Sequence, residues 1–365
     1  MAPLEPWEKV LVNEAFLTST HGSASCISCH GGQQAVDKEM AHEGLIARPS
    51  NDAAAVCGTC HSEIVATAAT SLHKEQTGYQ VAMYSRSIPE NHPALDEAFG
   101  NHCYSCHTNC GDCHISQPAS VGGGFLEGHE VVKTPPMTRT CTACHGSRVG
   151  NEYLGKNGEE VPGDVHFRNG RMNCVSCHTG ADLHASTETT GNTRYEGEES
   201  PSCRNCHQEV GAAGDSVVQH TLHQDKVQCQ VCHSIQYTSC DNCHVEISEK
   251  SGNPIFKTDA HYLGFFIGLN PQKDENRPYE YALVRHIPVA PDSYSFYGEN
   301  LQPNFDMVST WKYTTPHNIQ KSTPQNQSCE ACHGNSDLFL TADKVAPEEL
   351  EANREVIVDE IPSLK

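Results

Sequence analysis

The chain has 365 residues, 20 of them cysteine, and its 24 basic against 46 acidic residues leave a formal charge of -22. That balance excludes the basic patch that nucleic acid or an anionic lipid surface demands, and no run of about eighteen apolar residues is present to span a membrane as a helix. Hydrophobic residues make up 37% with the cysteines counted among them, so a core of side chains alone would be thin and something else is expected to fill the interior.

The first residues, MAPLEPWEKVLVNEAF, lack the basic start and apolar stretch of a signal peptide. From there one five-residue unit paces the chain. It occurs at Cys26–Cys29–His30 and at Cys57–Cys60–His61, the latter followed by SEIVATAATSLHKE (62–75), which predicts a short helix. A close doublet comes next, Cys103–Cys106–His107 and Cys110–Cys113–His114, then Cys141–Cys144–His145. The Gly-rich stretch 146–164 reads as a junction. Beyond it lie Cys174–Cys177–His178, Cys203–Cys206–His207, a second doublet at Cys229–Cys232–His233 and Cys240–Cys243–His244, and finally Cys329–Cys332–His333. A second short helix is predicted over 347–356. Ten units use all 20 cysteines.

Four chemistries use paired cysteines. Structural zinc takes two pairs, or a pair and spaced histidines, and has no need of a histidine directly after the second cysteine. A disulfide framework uses varied spacings and no histidine. Iron–sulfur runs lack that histidine and typically end in proline. Covalent haem explains every position: two thiols for the two vinyl groups along one edge of the ring, and the adjacent histidine for the iron. On these motifs the chain resembles a multihaem c-type cytochrome, here a decahaem one, from Cys26 to His333. The resemblance implies ten covalently bound haem c groups with the motif histidines as proximal ligands. It further implies attachment outside the cytoplasmic membrane, hence an exported protein, periplasmic or at the cell surface, with its signal peptide absent from this numbering.

Thirteen histidines lie outside the motifs, against ten second ligands needed. Methionine is the rival axial ligand, but Met40, Met83, Met137, Met172 and Met307 are too few for most sites. Mainly bis-histidine, low-spin haems are expected, with Nε2 on iron and Nδ1 donating to a carbonyl or carboxylate.

The motif order is single, single, doublet, single, twice over, which predicts two related pentahaem halves, 1–150 and 151–365. Matching them gives His21, His42, His73, His102 and His129 as distal candidates in the first half, and His166, His184, His220, His223 and His261 in the second, with His92, His286 and His317 in reserve. The second half also holds a haem-free insertion rich in Tyr, Phe and Pro at about 262–328, read as a flap over haem faces. Sparse strand patterns predict a fold of mostly irregular coil with short α-helices wrapped around a chain of haems and almost no β-sheet.

The expected function is electron transfer through closely spaced haems, in the periplasm or outside the cell, with other redox proteins or terminal acceptors as partners and self-assembly into a filament or oligomer as a further expectation. The alternative is a multihaem oxidoreductase of nitrogen or sulfur oxyanions with one open haem site. Enzymes resembling the multihaem nitrite reductases often mark that site with Cys-x-x-Cys-Lys, and all ten motifs here end in histidine. For such a pocket the insertion offers His286, Tyr294 and Tyr297.

Overall fold

The computed structural model describes residues 5–103, 108–118, 121–185, 200–287 and 290–364. Cys106 and His107 of the third motif lie outside the described residues. The chain divides into two compact units, each discontinuous in sequence. One comprises Met1–Gly78, Cys106–Ser147 and Asn173–Ser200; the other comprises Tyr79–Ser105, Arg148–Met172 and Pro201–Lys365.

The first unit is a set of short helices joined by turns, among them Glu14–Thr18, Cys26–His30, Ser62–Ala68, Leu72–Glu75, Cys110–His114 and Gly180–His184. The helix predicted over 62–75 is present in two pieces. Thr67, Thr70 and Ser71 turn their hydroxyls back onto the carbonyls of Ile64, Thr67 and Ala68, a competition that weakens a helix from within. Among the described residues, Leu126 is the only hydrophobic side chain of this unit that is buried. Aliphatic burial therefore cannot hold the unit together, and an additional apolar body is required.

The second unit has a conventional core. The helix His92–His102 buries Leu95, Ala98 and Phe99, an i, i+3, i+4 face, against Met83, Tyr294 and Leu301. Two antiparallel sheets follow. Strands β1 (Tyr237–Ile247) and β2 (Pro254–Gly264) form a hairpin, and β3 (Phe266–Leu269), β4 (Tyr281–His286) and β5 (Trp311–Tyr313) form a three-stranded sheet in that order. Val284, Trp311, Leu340, Val345, Val356 and Ile357 pack on that sheet, as do Ile267, Leu283, Phe339 and Val358 beside Val231.

The expectation of mostly coil with almost no sheet is therefore wrong: the fold mixes helix and strand. Two features hid the strands. In β4 three consecutive apolar residues, Ala282, Leu283 and Val284, are all buried, so no alternation marks it. In β1 the ninth motif occupies the strand itself, with Cys240 opposite His261 and His244 opposite Lys257, and its cysteines read as attachment points rather than as part of a β pattern. The helix predicted over 347–356 also shrinks, to the 3-10 turn Pro347–Glu349. Asn353 is drawn into the sheet edge, accepting from the amides of Thr310 and Trp311, and tertiary bonds of this kind override local propensity.

Candidate haem-ligating histidine pairs

Positions i, i+3 and i+4 of a helical turn share one face. A Cys-x-x-Cys-His turn thus presents two thiols and an imidazole together. The motifs at Cys26–His30, Cys110–His114 and Cys229–His233 are single α-helical turns. Those ending in His61, His178, His207 and His333 close with the histidine amide donating to the first cysteine's carbonyl at 2.9 Å. Local capping fixes several of them: Asn109 and Asp112 exchange side-chain and backbone bonds as a capping box, and Asn173 and Ser176 do the same. The ninth motif differs. In the extended β1, side chains alternate between faces, so Cys240 and His244 fall on one face and Cys243 on the other.

Seven motif histidines each face one histidine from outside the motifs. In the first unit the ring centres are 6.1 Å apart for His61 and His21, 5.8 Å for His30 and His129, 6.2 Å for His145 and His73, and 6.0 Å for His114 and His184. In the second unit they are 6.0 Å apart for His207 and His166, 6.2 Å for His233 and His220, and 5.9 Å for His333 and His223. Two imidazoles bonded to one metal at about 2 Å each place their ring centres roughly 6 Å apart. The spacing is one that a single metal ion between two imidazoles would require, so the donor set fits haem.

Several of the opposite ring nitrogens are anchored, whereas Nδ1 of His129 and of His333 is buried without a hydrogen-bond partner. Nδ1 of His30, His114, His233 and His223 lies 2.9, 2.7, 3.1 and 2.9 Å from the carbonyls of Ile46, Val132, Gln320 and Gln219. A carbonyl only accepts, so Nδ1 carries the proton and Nε2 keeps its lone pair for a metal. His166, His220 and His178 anchor instead on Asp164, Asp215 and Asp182 at 2.9, 2.9 and 2.6 Å. Asp215 also accepts from the amides of Gly211 and Val217; these two bonds first, then His220, hold its carboxyl down at about 2.

Thiols of different motifs also meet. Hydrogen bonds join Cys57 to Cys110, Cys141 to Cys174 and Cys203 to Cys229.

The other candidates are placed differently. His102 holds the Tyr297 hydroxyl at Nε2, 2.7 Å away, while Asn101 donates to the same hydroxyl. His92, at the opposite end of the same helix, stacks on Tyr84 at 3.8 Å, and its Nε2 is buried without a hydrogen-bond partner. Both nitrogens of His286 face carboxylates: Nε2 lies 3.0 and 3.1 Å from the Glu349 oxygens and Nδ1 lies 3.4 Å from Asp241. Burial would raise the Glu349 carboxyl, but His286, Thr310 and Arg86 outweigh it and hold it below its ordinary range. The His317 amide donates to Glu152 at 2.8 Å. His42 and His261 are exposed.

Spacing alone matched His73 with His220. Ring pairing instead makes His73 and His223 counterparts, since each faces the last motif of its half. One signal for pairing was present in the sequence: His21 precedes His61 by 40 residues (61−21) and His166 precedes His207 by 41 (207−166). The crossing of His184 to His114 has no such signal.

Residues 159–234 match the model of a family described as cytochrome c7 and related cytochrome c. No curated protein and no solved structure matches the chain. The matched stretch holds the sixth, seventh and eighth motifs and, with them, His166, His184, His220 and His223. This match, the Cys-x-x-Cys-His turns and the imidazoles set around them support multihaem electron transfer by covalently bound haem c.

Proposed function

We propose that the chain is a decahaem conduit, exported to the periplasm or the cell surface, that passes electrons along ten bis-histidine haems and assembles with copies of itself into a filament or oligomer. The seven imidazole pairs carry this reading. Haem iron supplies reversible one-electron chemistry when bound. The chain's part is to hold both axial positions, so that no substrate enters and little rearranges when the charge changes. At His30, His114, His166, His220, His223 and His233 the Nδ1 anchors orient the imidazole and raise its basicity toward a metal. Thiol contacts between motifs, such as Cys141 with Cys174, bring neighbouring attachment edges together, and electron tunnelling falls steeply with distance.

Of the two histidines at the ends of the helix His92–His102, we favour His92 over His102 as an axial donor. The Nε2 of His92 is buried and unclaimed, whereas that of His102 is held by Tyr297. His102 and His92 sit at the two ends of an 11-residue helix, about 15 Å apart along its axis, and cannot exchange places. His286, with a carboxylate at each nitrogen, is a structural clamp. The two halves, 1–150 and 151–365, are read as copies of one pentahaem plan.

Intact mass of the mature protein counts the haems; ten attached groups are expected. Carbon monoxide added to the fully reduced protein should then leave the spectrum of every paired site unchanged. Binding at one of the seven paired sites, together with turnover of nitrite or sulfite, would replace this reading by an oxyanion oxidoreductase.

A further inference from the structure

Three ligand sites of the first unit converge on one five-residue helix, Gly180–His184. His184 faces His114 of the fourth motif with ring centres 6.0 Å apart. The Leu183 carbonyl accepts a hydrogen bond from the ring of His73, the imidazole that faces His145 of the fifth motif at 6.2 Å. Asp182 lies 2.6 Å from Nδ1 of His178, the histidine of the sixth motif itself. Consecutive residues of a helix fan out by about 100° each, so three neighbours in sequence serve three different sites. The attachment edges keep the same order. Cys141 of the fifth motif bonds to Cys174 of the sixth. Burial first, and then Cys141, Asp112 and Cys144, push the Cys113 thiol of the fourth motif up to about 12. The fourth, fifth and sixth sites are therefore consecutive.

Asp182 has an ordinary alternative as part of a helix cap. Thr179 caps the helix by accepting from the Asp182 amide at 3.3 Å, and an acid three residues after such a cap usually turns back to the amide of the cap residue. The Asp182 carboxylate meets the His178 ring instead, and it is only 21% exposed there. Its charge also reaches His73. Burial lowers that imidazole, and Asp182 is the foremost influence raising it. One carboxylate thus stands beside two ligands that belong to two neighbouring sites.

A negative charge behind an axial imidazole offsets the extra positive charge of ferric iron and so favours the oxidised state. Inside a protein this attraction is weakly screened and acts beyond the nearest ligand. We propose that Asp182 is a positioning residue shared by two haems: it orients His178 and lowers the potentials of the fifth-motif and sixth-motif sites together. The helix that carries it also fixes His184 at the fourth-motif site, so the three sites form one matched segment of the electron path. This deepens the electron-transfer reading and rests on the axial role of the imidazole pairs.

The test uses the haem-loaded protein and two readouts: a spectroelectrochemical titration and the low-spin electron paramagnetic spectrum. D182N should raise two centres and change two low-spin signals while the other centres stay in place. The larger shift belongs to the sixth-motif site, whose ligand bonds Asp182 directly. D182E keeps the charge and displaces it by one methylene, so it should move the same two centres by less. Intact mass checks that each variant carries the haem complement of wild type, and D182E carries the test if D182N does not. A shift confined to one centre, or no shift, in a fully loaded variant would overturn the proposal. H184A separates this proposal from the reading beneath it, because it should open one site to carbon monoxide in the reduced protein. If H184A opens none, the axial reading itself fails. If H184A opens one and D182N moves fewer than two centres, the axial reading stands and the shared charge alone falls.

Discussion

His114 and His184 face each other with ring centres 6.0 Å apart and planes 27° apart, although 70 residues (184−114) separate them. If both bind one iron, H184M should move one redox centre and leave the others in place. Thioether ligation favours the reduced state, so that centre should shift upward by a sizeable part of the roughly 0.8 V that axial ligands span. A spectroelectrochemical titration reads this as one haem's share of the Soret change moving to higher potential. An unshifted titration curve would remove His184 from the ligand set.

Asp164 tests the anchoring of a ligand from behind. One of its oxygens accepts from the His166 amide and Nδ1, and the other accepts from the Ile319 amide. D164N keeps the size but weakens the pull on Nδ1. The imidazole becomes less basic, so one centre should rise in potential and its low-spin electron paramagnetic signal should change. Ligand affinity at that site should fall by roughly 10–100-fold, seen as displacement of His166 by cyanide. D182N should do the same through His178, whose Nδ1 lies 2.6 Å from Asp182.

Glu349 gives a pH dependence. It is buried, bonded to His286 and Thr310, and held below its usual value of 4.5 in the folded state. A carboxyl lowered on folding contributes stability that is fully present above the unfolded value and is lost as pH falls through the folded one. Wild type should therefore exceed E349Q in stability by about 1–3 kcal/mol at neutral pH, and the gap should close below pH about 4. Denaturant unfolding at several pH values measures it. A gap that widens on acidification would show that the clamp does not work through the carboxylate.

Haem removal should affect the two units unequally. The first unit buries one hydrophobic side chain among its described residues, whereas the second buries three clusters. A chain with its attachment cysteines replaced should be cleaved by protease first within 1–78 and 106–147. The sheet and its cover, about 265–358, should resist longest. Within that cover L340A should cost about 2–5 kcal/mol, since Leu340 is fully buried against the three-stranded sheet. Equal protease sensitivity throughout would mean the sheet has no core of its own.

The chemistry was legible in the sequence because it is local. Two thiols and an imidazole at i, i+3 and i+4 share one face of a helical turn, so Cys-x-x-Cys-His points to covalent haem before any fold is known, although the ninth motif, in β1, forms no such turn. Histidine number and Nδ1 chemistry, likewise, follow from composition and from what an imidazole must do to bind iron. Beyond the matching offsets of His21 to His61 and His166 to His207, pairing was not legible. His184 meets His114, and His223 meets His333, through chain reversals whose ends carry no mark in the intervening residues. His102 and His92 look alike in sequence, and only the position of Tyr297 separates them. The strands escaped for a related reason: Ala282, Leu283 and Val284 are buried on both faces, and a strand buried on both faces loses the alternation that identifies it. Short-range geometry thus determined the donors that each motif offers, while long-range packing decided which histidine faces which motif.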